Sequence, residues 1–239
     1  MTGLYLLAGI RTEITSVYPD VHRLCADYRT QGTPELYIRT TRTEISAERQ
    51  RTEASQHAGD GYLETLAVYR GLAEKMIAFR TILIHSSAIG TNGTAYLFAA
   101  KSGTGKSTHT RLWREMLGDA AVMLNDDKPL VTVNAGGAIV HGTPWDGKHR
   151  LSAPISLPLG GICFLEQGRG NRITPLTARE AFPMLAAQTY RPADPAGTAG
   201  TLLLLEQLAG SVPLYRMQCN VTPEAAAISY GTMTKGQRI

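Results

Sequence analysis

Thr94-Ala95-Tyr96-Leu97-Phe98-Ala99-Ala100-Lys101-Ser102-Gly103-Thr104-Gly105-Lys106-Ser107-Thr108 is the stretch that decides how this chain folds. Thr94 to Ala99 form an apolar run that predicts a strand. Gly103 and Gly105 then give the backbone freedom to turn sharply. From Thr108 to Leu117 the pattern turns helical, and Gly118 stands where a helix stop belongs. Strand, glycine loop and helix in that order bring backbone N–H groups and the positive end of a helix to one point.

The segment from Ala100 to Ser107 matches G-x-x-x-x-G-K-[ST], with Ala100 in place of the leading glycine. Ala100 has only to leave the strand without a bulky side chain. In such a loop the amides of Ser102, Gly103, Thr104 and Gly105 curl around a phosphate. Lys106 reaches the β and γ phosphates as a point charge, Ser107 ligates magnesium, and Thr108 touches the α phosphate. The bland reading, a Gly/Ser turn with an exposed lysine, does not account for the strand before it and the helix after it.

Such a site needs an acid at a neighbouring strand end, to hold the metal or take a proton. Ala121 to Leu124 predicts a strand ending in Asn125-Asp126-Asp127. Two adjacent carboxylates, Asp126 and Asp127, can divide the work, because like charges push their pKa values apart; the alternative is a plain Asp-Asp turn into Lys128-Pro129. His85 interrupts an otherwise apolar strand, Ile82 to Ile89, one hairpin upstream. Spacing alone leaves it either an active-site group or a buried, hydrogen-bonded histidine. The loop Gly142 to Arg150 holds Trp145, Asp146, Lys148 and Arg150, and Lys148 and Arg150 are candidates to stabilise charge on a transferring phosphate; a Pro-Trp turn that buries its indole is the competing reading.

Around this centre the chain reads as mixed α and β. Short strands are predicted at Leu4 to Ala8, Thr12 to Ser16, Glu35 to Arg39 and Thr41 to Ile45, followed by a polar loop from Glu48 to Gly61. Tyr62, Leu66, Tyr69, Ala73, Met76 and Ile77 recur at helical spacing. Gly90-Thr91-Asn92-Gly93 predicts a tight hairpin between Ile82 to Ile89 and Thr94 to Ala99. Pro129 to Val133 with Ala138 to His141 predicts another hairpin, and Gly161 to Leu165 a strand. The remainder predicts helices near Ala178 to Gln188 and Leu202 to Leu208, a strand from Pro213 to Cys219, and a last helix from Pro223. The division expected is a β-rich part over 1–60 and a core over 61–239.

Composition narrows the classes. With 43% hydrophobic and 18% charged residues the chain is globular, and 239 residues suffice for one sizeable domain or a small and a medium one. The net charge of +4 comes without a Lys/Arg run or aromatic ladder, so a nucleotide explains it better than nucleic acid. Cys25, Cys163 and Cys219 form no CxxC and no framework, which suits reduced thiols. No stretch approaches the roughly 20 apolar residues of a membrane span. A cytoplasmic protein without membrane or nucleic-acid partners is expected.

With His85, the Ser102–Ser107 loop and Asp126-Asp127 in this order, the chain resembles the HPr serine kinase/phosphorylase family, which shares its P-loop core with phosphoenolpyruvate carboxykinase. The resemblance covers about residues 80–165. It implies an α/β fold with a mixed-sheet P-loop kinase core, ATP-Mg held by Lys106 and Ser107, and Asp126 or Asp127 as base on a serine hydroxyl. His85 becomes an active-site residue on this basis; the carboxykinase branch implies a second-metal role for it instead. Asp127 joins Ser107 as candidate magnesium ligand. The family's signature segment after the core strands is replaced here by Gly142 to Arg150. The chain looks closer to small stand-alone relatives, some of which phosphorylate the terminal serine of lasso-peptide precursors. Relatives also assemble as oligomers. The acceptor expected is a hydroxyl on a peptide, a protein or a small molecule; the competing class is an ATP-binding regulator without rapid transfer, and a carboxykinase-like enzyme on an oxoacid ranks third.

Overall fold

The computed structural model describes residues 1–51 and 53–235, and they divide into two compact units, Met1–Phe79 and Arg80–Ile239. In the first, β1 (Thr2–Leu7) and β2 (Ile10–Thr15) form an antiparallel hairpin. The short helix α1 (Asp20–Leu24) leads to β3 (Leu36–Arg39), which adds parallel to β2. Helices α2 (Arg42–Arg51) and α3 (Asp60–Met76) complete the unit.

Three expectations change here. Thr41 to Ile45 is the start of α2 rather than a strand: Thr41 and Glu44 form a reciprocal capping box, with Thr41 N donating to Glu44 Oε2 at 2.7 Å. Most of the expected loop from Glu48 to Gly61 is therefore occupied by the rest of α2, a single 3₁₀ turn and the start of α3; Thr52 lies outside the described residues. The third concerns α3, where Tyr69, Ala73 and Met76 are buried as expected, but Tyr62 is exposed and Leu63, Val68 and Leu72 join the core. The same helix buries Glu64, whose carboxylate accepts from Val17 N, Tyr18 N and Thr40 Oγ1 at 2.5–2.7 Å. Those bonds tie α3 to the β2 and β3 strand ends, so the first unit runs on to Phe79 instead of closing near residue 60.

The second unit is built on one mixed sheet. Its strands are β4 (Thr81–Leu83), β5 (Ser86–Thr91), β6 (Thr94–Ala99), β7 (Ala121–Asn125), β8 (Leu130–Asn134), β9 (Gly137–His141), β10 (Ser156–Gln167), β11 (Arg172–Leu176) and β12 (Leu214–Cys219), in the order β4-β8-β9-β10-β6-β5-β7, with β12 also pairing β10 and β11 pairing β12. Because β4 runs on into β5 and β7 into β8, the two ends of this path are tied together and the sheet curls. The α/β reading with a mixed sheet and a small β-containing N-terminal part holds at this level. The Asn92-Gly93 hairpin forms as expected, with both residues at positive φ (49° and 72°).

Alternation along β6 sends Tyr96 and Phe98 to one face and Leu97 and Ala99 to the other, and all four are buried. Helix α4 (Lys106–Leu117) and the last helix packed beside it cover the first face through Trp113, which meets the Tyr96, Phe98 and Tyr230 rings at 5.2–5.5 Å. Between β11 and β12 lie α5 (Ala178–Gln188), closed by a Thr177–Glu180 capping box, and α6 (Pro195–Ser211), capped by Asp194; α7 (Pro223–Met233) follows β12. Pro183 is accommodated within α5.

Two buried histidines in this unit carry a pH dependence. His109 bonds Ser229 Oγ through Nε2, and His141 lies between Thr132 and Ser156 hydroxyls. Burial pushes both pKa values down to about 4, so the folded state holds them neutral. A depressed histidine means the unfolded chain binds the proton first, so stability is lost as pH falls from about 6.5 towards 4. Chemical denaturation at pH 7.5 and pH 5 is expected to differ by roughly 1–2 kcal/mol per histidine, and His141→Asn should reduce the difference.

Candidate functional site

The loop 100–105 leaves β6 and enters α4 through Gly105, the N-cap, whose φ of 113° lies in the left-handed region. No side chain caps α4, in contrast to α5 and α6, and no acid stands in its first turn. Its first amides are therefore unsatisfied donors at the positive end of the helix dipole. Lys106 occupies the first helical position, where a cation opposes that dipole, and it is only 8% exposed. Its ammonium donates to Ala100 O at 3.0 Å and lies 3.2 Å from His85 Nε2. Burial lowers the Lys106 pKa, against the opposing pull of Asp127 and Asp126.

His85 owes its place to a crossing in the sheet. The expected strand Ile82 to Ile89 is two strands, since β4 pairs with β8 and β5 with β6 and β7. Between them His85 N donates to Gln188 O at 2.7 Å and Ser86 N to Asp127 O at 3.1 Å. A polar side chain is tolerated there because the ring is about a third exposed. His85 Nε2 also lies 3.4 Å from Asp127 Oδ1. One nitrogen cannot accept from Lys106 and donate to Asp127 at once, so the two contacts require different placements of the ring hydrogens.

The acids come from the end of β7. Asp127 pairs with Lys128 at 3.0 Å. Burial works to raise its pKa, but the His85 bond and the Lys128 charge outweigh this and hold it below the ordinary aspartate value. Asp126 is buried and accepts from Ser87 Oγ at 2.7 Å. The turn that carries Asp127 is fixed by Asn125, which sequence reasoning passed over. Its Oδ1 accepts from Asp127 N and Lys128 N, and its Nδ2 donates to Thr143 O, Thr143 Oγ1 and Trp145 O. An Asn directly before Asp-Asp-Lys-Pro is the available signal, because Asn closes such turns on its own backbone. Asn125→Ala strands several of these buried groups and is expected to cost about 2–4 kcal/mol, measured by denaturant unfolding.

Through Asn125 the loop after β9 is drawn over the acids. A Cβ on Gly147 would lie 3.2 Å from the Asp127 Cβ, so the loop backbone packs directly on that residue. Trp145 and Asp146 are buried, and Asp146 accepts from Ser152 Oγ at 2.9 Å. Burial raises the Asp146 pKa. Lys148 and Arg150 stand exposed on the far turn of the loop. The structure thus brings His85, Lys106 and Asp127 together, places Asp126 beside Ser87, and leaves Lys148 at the rim. Ser107 and Thr108 are half-buried in the first turn of α4, and Ser102 and Gly103 are exposed in the loop.

Comparison with known proteins adds little. No family model matches the chain, and no curated protein matches its sequence. Among solved structures, the HPr(Ser) kinase/phosphatase from Coxiella burnetii is similar with a TM-score of 0.35 and 8% identity, over 64% of this chain and 99% of that one. No helix among the described residues is long and apolar enough to cross a membrane.

Proposed function

We propose that this chain is an ATP-dependent phosphotransferase that moves the γ phosphate of ATP onto a hydroxyl group. One observation carries the reading: a buried lysine at the uncapped start of α4, within reach of a histidine that in turn meets an aspartate. A buried cation opposing a helix dipole is unfavourable on its own. An anion at the same point satisfies the lysine, the dipole and the free amides together.

In this reading Lys106 and the amides of residues 102–108 hold the β and γ phosphates and the charge that develops on them. Ser107 and a carboxylate of the Asp126-Asp127 pair would hold Mg²⁺; the half-buried Ser107 hydroxyl and the paired acids are the hard oxygen donors that ion takes. When bound, the ion neutralises phosphate charge. Asp127, ionised and facing His85, accepts the proton of the acceptor hydroxyl. The hydroxyl oxygen then forms its bond to the γ phosphorus as the bond from that phosphorus to the β–γ bridging oxygen breaks, leaving ADP and a phosphate ester. With a carboxylate of low basicity, orienting the hydroxyl contributes more than proton affinity does.

The acceptor is a serine-bearing peptide, such as a lasso-peptide precursor, a protein serine or a small alcohol. The test is ADP formation from ATP-Mg with a panel of such acceptors, with products followed by an 80 Da mass increase, the addition of about one HPO₃. Nucleotide binding without turnover on any acceptor would point instead to an ATP-binding regulator, and absence of nucleotide binding would remove both readings.

A further inference from the structure

If ATP is the donor, Lys106, His85 and Asp127 mark the end where its terminal phosphate lies, and the other end has to run back along the loop towards Thr108. We infer that the nucleoside of the donor occupies the cavity on the α4–β12 side of the loop, and that the larger cavity beneath α5 is left to the acceptor. This inference rests on the function proposed above and adds to it the place where the base and sugar are recognised.

The nearer cavity has a volume of about 270 Å³, and Thr104, Gly105 and Thr108 form its loop side. Its opposite wall comes from the end of β12 and the turn that follows, Cys219 to Val221. Val221 is 71% exposed, a large apolar side chain standing over a cavity. It is fixed there: Asn220 Oδ1 accepts from Thr222 N at 3.0 Å and Thr222 Oγ1 at 2.6 Å, while Asn220 N donates to Asn171 Oδ1 at 3.0 Å. A rigid turn that presents an apolar residue to water suits one face of a planar base.

The inner wall has a second feature. Ser229 Oγ receives the Trp113 indole N–H at 2.8 Å and gives its own proton to Ala225 O at 3.0 Å. Its remaining lone pair takes the His109 Nε2 proton, which assigns His109 Nδ1 as an acceptor. That Nδ1 is buried and has no partner among the described residues. His109 is among the residues that line the cavity, and its Nδ1 is the buried acceptor there that lacks a partner.

The larger cavity, about 560 Å³, points elsewhere. Phe164, Pro183, Met184 and Ala187 make it apolar, and it reaches Gln188, whose carbonyl holds His85 N. It shares Thr104 and Gln167 with the first cavity and takes in Ala100 and Lys101 of the loop, but of the two it is the one that reaches Gln188 and the His85 end, and its apolar wall suits a flanking side chain of a peptide acceptor.

The test is calorimetric titration with ADP and, separately, with inorganic tripolyphosphate. Val221→Asp is expected to weaken ADP about tenfold and leave tripolyphosphate unchanged, whereas Met184→Glu leaves both unchanged. Iodoacetamide labelling of Cys219, the partly exposed cysteine of the three, should be slowed by ADP and not by tripolyphosphate. Loss of ADP affinity in Met184→Glu but not Val221→Asp would overturn the assignment. So would ADP binding no tighter than tripolyphosphate, which leaves the phosphate site standing; a chain that binds neither takes the proposed function down as well.

Discussion

Lys106→Ala is expected to lower kcat/KM for phosphoryl transfer by about a thousandfold or more, equivalent to roughly 4 kcal/mol of transition-state stabilisation. The ammonium lies at the start of α4 and has little else to do there: its partners are a carbonyl of its own loop and a histidine nitrogen. Its removal should leave the apo protein as stable as before or up to about 1 kcal/mol more stable, because the cation opposes the dipole of α4. A purely structural lysine would show the opposite, a lower melting temperature with activity falling only in step with the folded fraction. Lys106→Arg should not rescue transfer, since a planar guanidinium does not replace a compact charge at a buried position. In the wild type the direction of the pKa shift adds a check. Burial lowers the Lys106 pKa, so the ammonium is lost as pH rises through a value below 10.5, and the alkaline limb of the rate profile should come earlier than for an ordinary lysine. Unaltered turnover in Lys106→Ala, in a protein shown to be folded by circular dichroism, would end the phosphate-site reading.

What could be read from residue order alone was what depends on near neighbours. The run Thr94 to Ala99, the loop and α4 lie next to one another in the chain, and each carries its own signal: apolar alternation, glycines, and the Gly118 stop. The Asn92-Gly93 turn was legible for the same reason. Thr41 to Ile45 misled because β-branched residues outweighed the Thr41–Glu44 capping box, although the box is as local as the propensity. The strand β11 carried no apolar pattern of its own; it forms because β12 offers it a partner. His85 shows where sequence reading stops. Its neighbours make it look like a strand residue, and only the pairing of β4 with β8 and β5 with β6 reveals that the chain changes partners there. Asn125 is the reverse case, a local turn-former whose importance comes from Thr143 and Trp145, about 20 residues away. The unit boundary at Phe79 depended on the carboxylate of Glu64, which helical periodicity would have placed in water.

Asp127→Asn separates the chemistry from the binding. The substitution keeps the size of the side chain and can still bond His85, so ADP affinity should change less than about threefold while transfer falls by about a hundred- to ten-thousandfold. The pH profile sharpens the claim. The Asp127 carboxyl is held below the usual aspartate range because the His85 bond and the Lys128 charge outweigh burial. A group with a depressed folded pKa stays ionised until pH falls through that lower value, so Asp127 should impose no loss of rate between pH 5 and 7. The variant also decides which role the carboxylate plays. If Asp127 orients and deprotonates the hydroxyl, the magnesium concentration for half-maximal rate should match the wild type; if it binds the ion, that concentration should rise several-fold, and Asp126→Asn should show the smaller metal effect. The Ser87 bond that occupies Asp126 Oδ1 favours the first outcome, because it leaves Asp127 as the carboxylate facing His85 and Lys106. A variant that transfers phosphate at the wild-type rate would place the proton acceptor elsewhere, and His85, whose Nε2 lies between the lysine and the aspartate, would be the group to replace next.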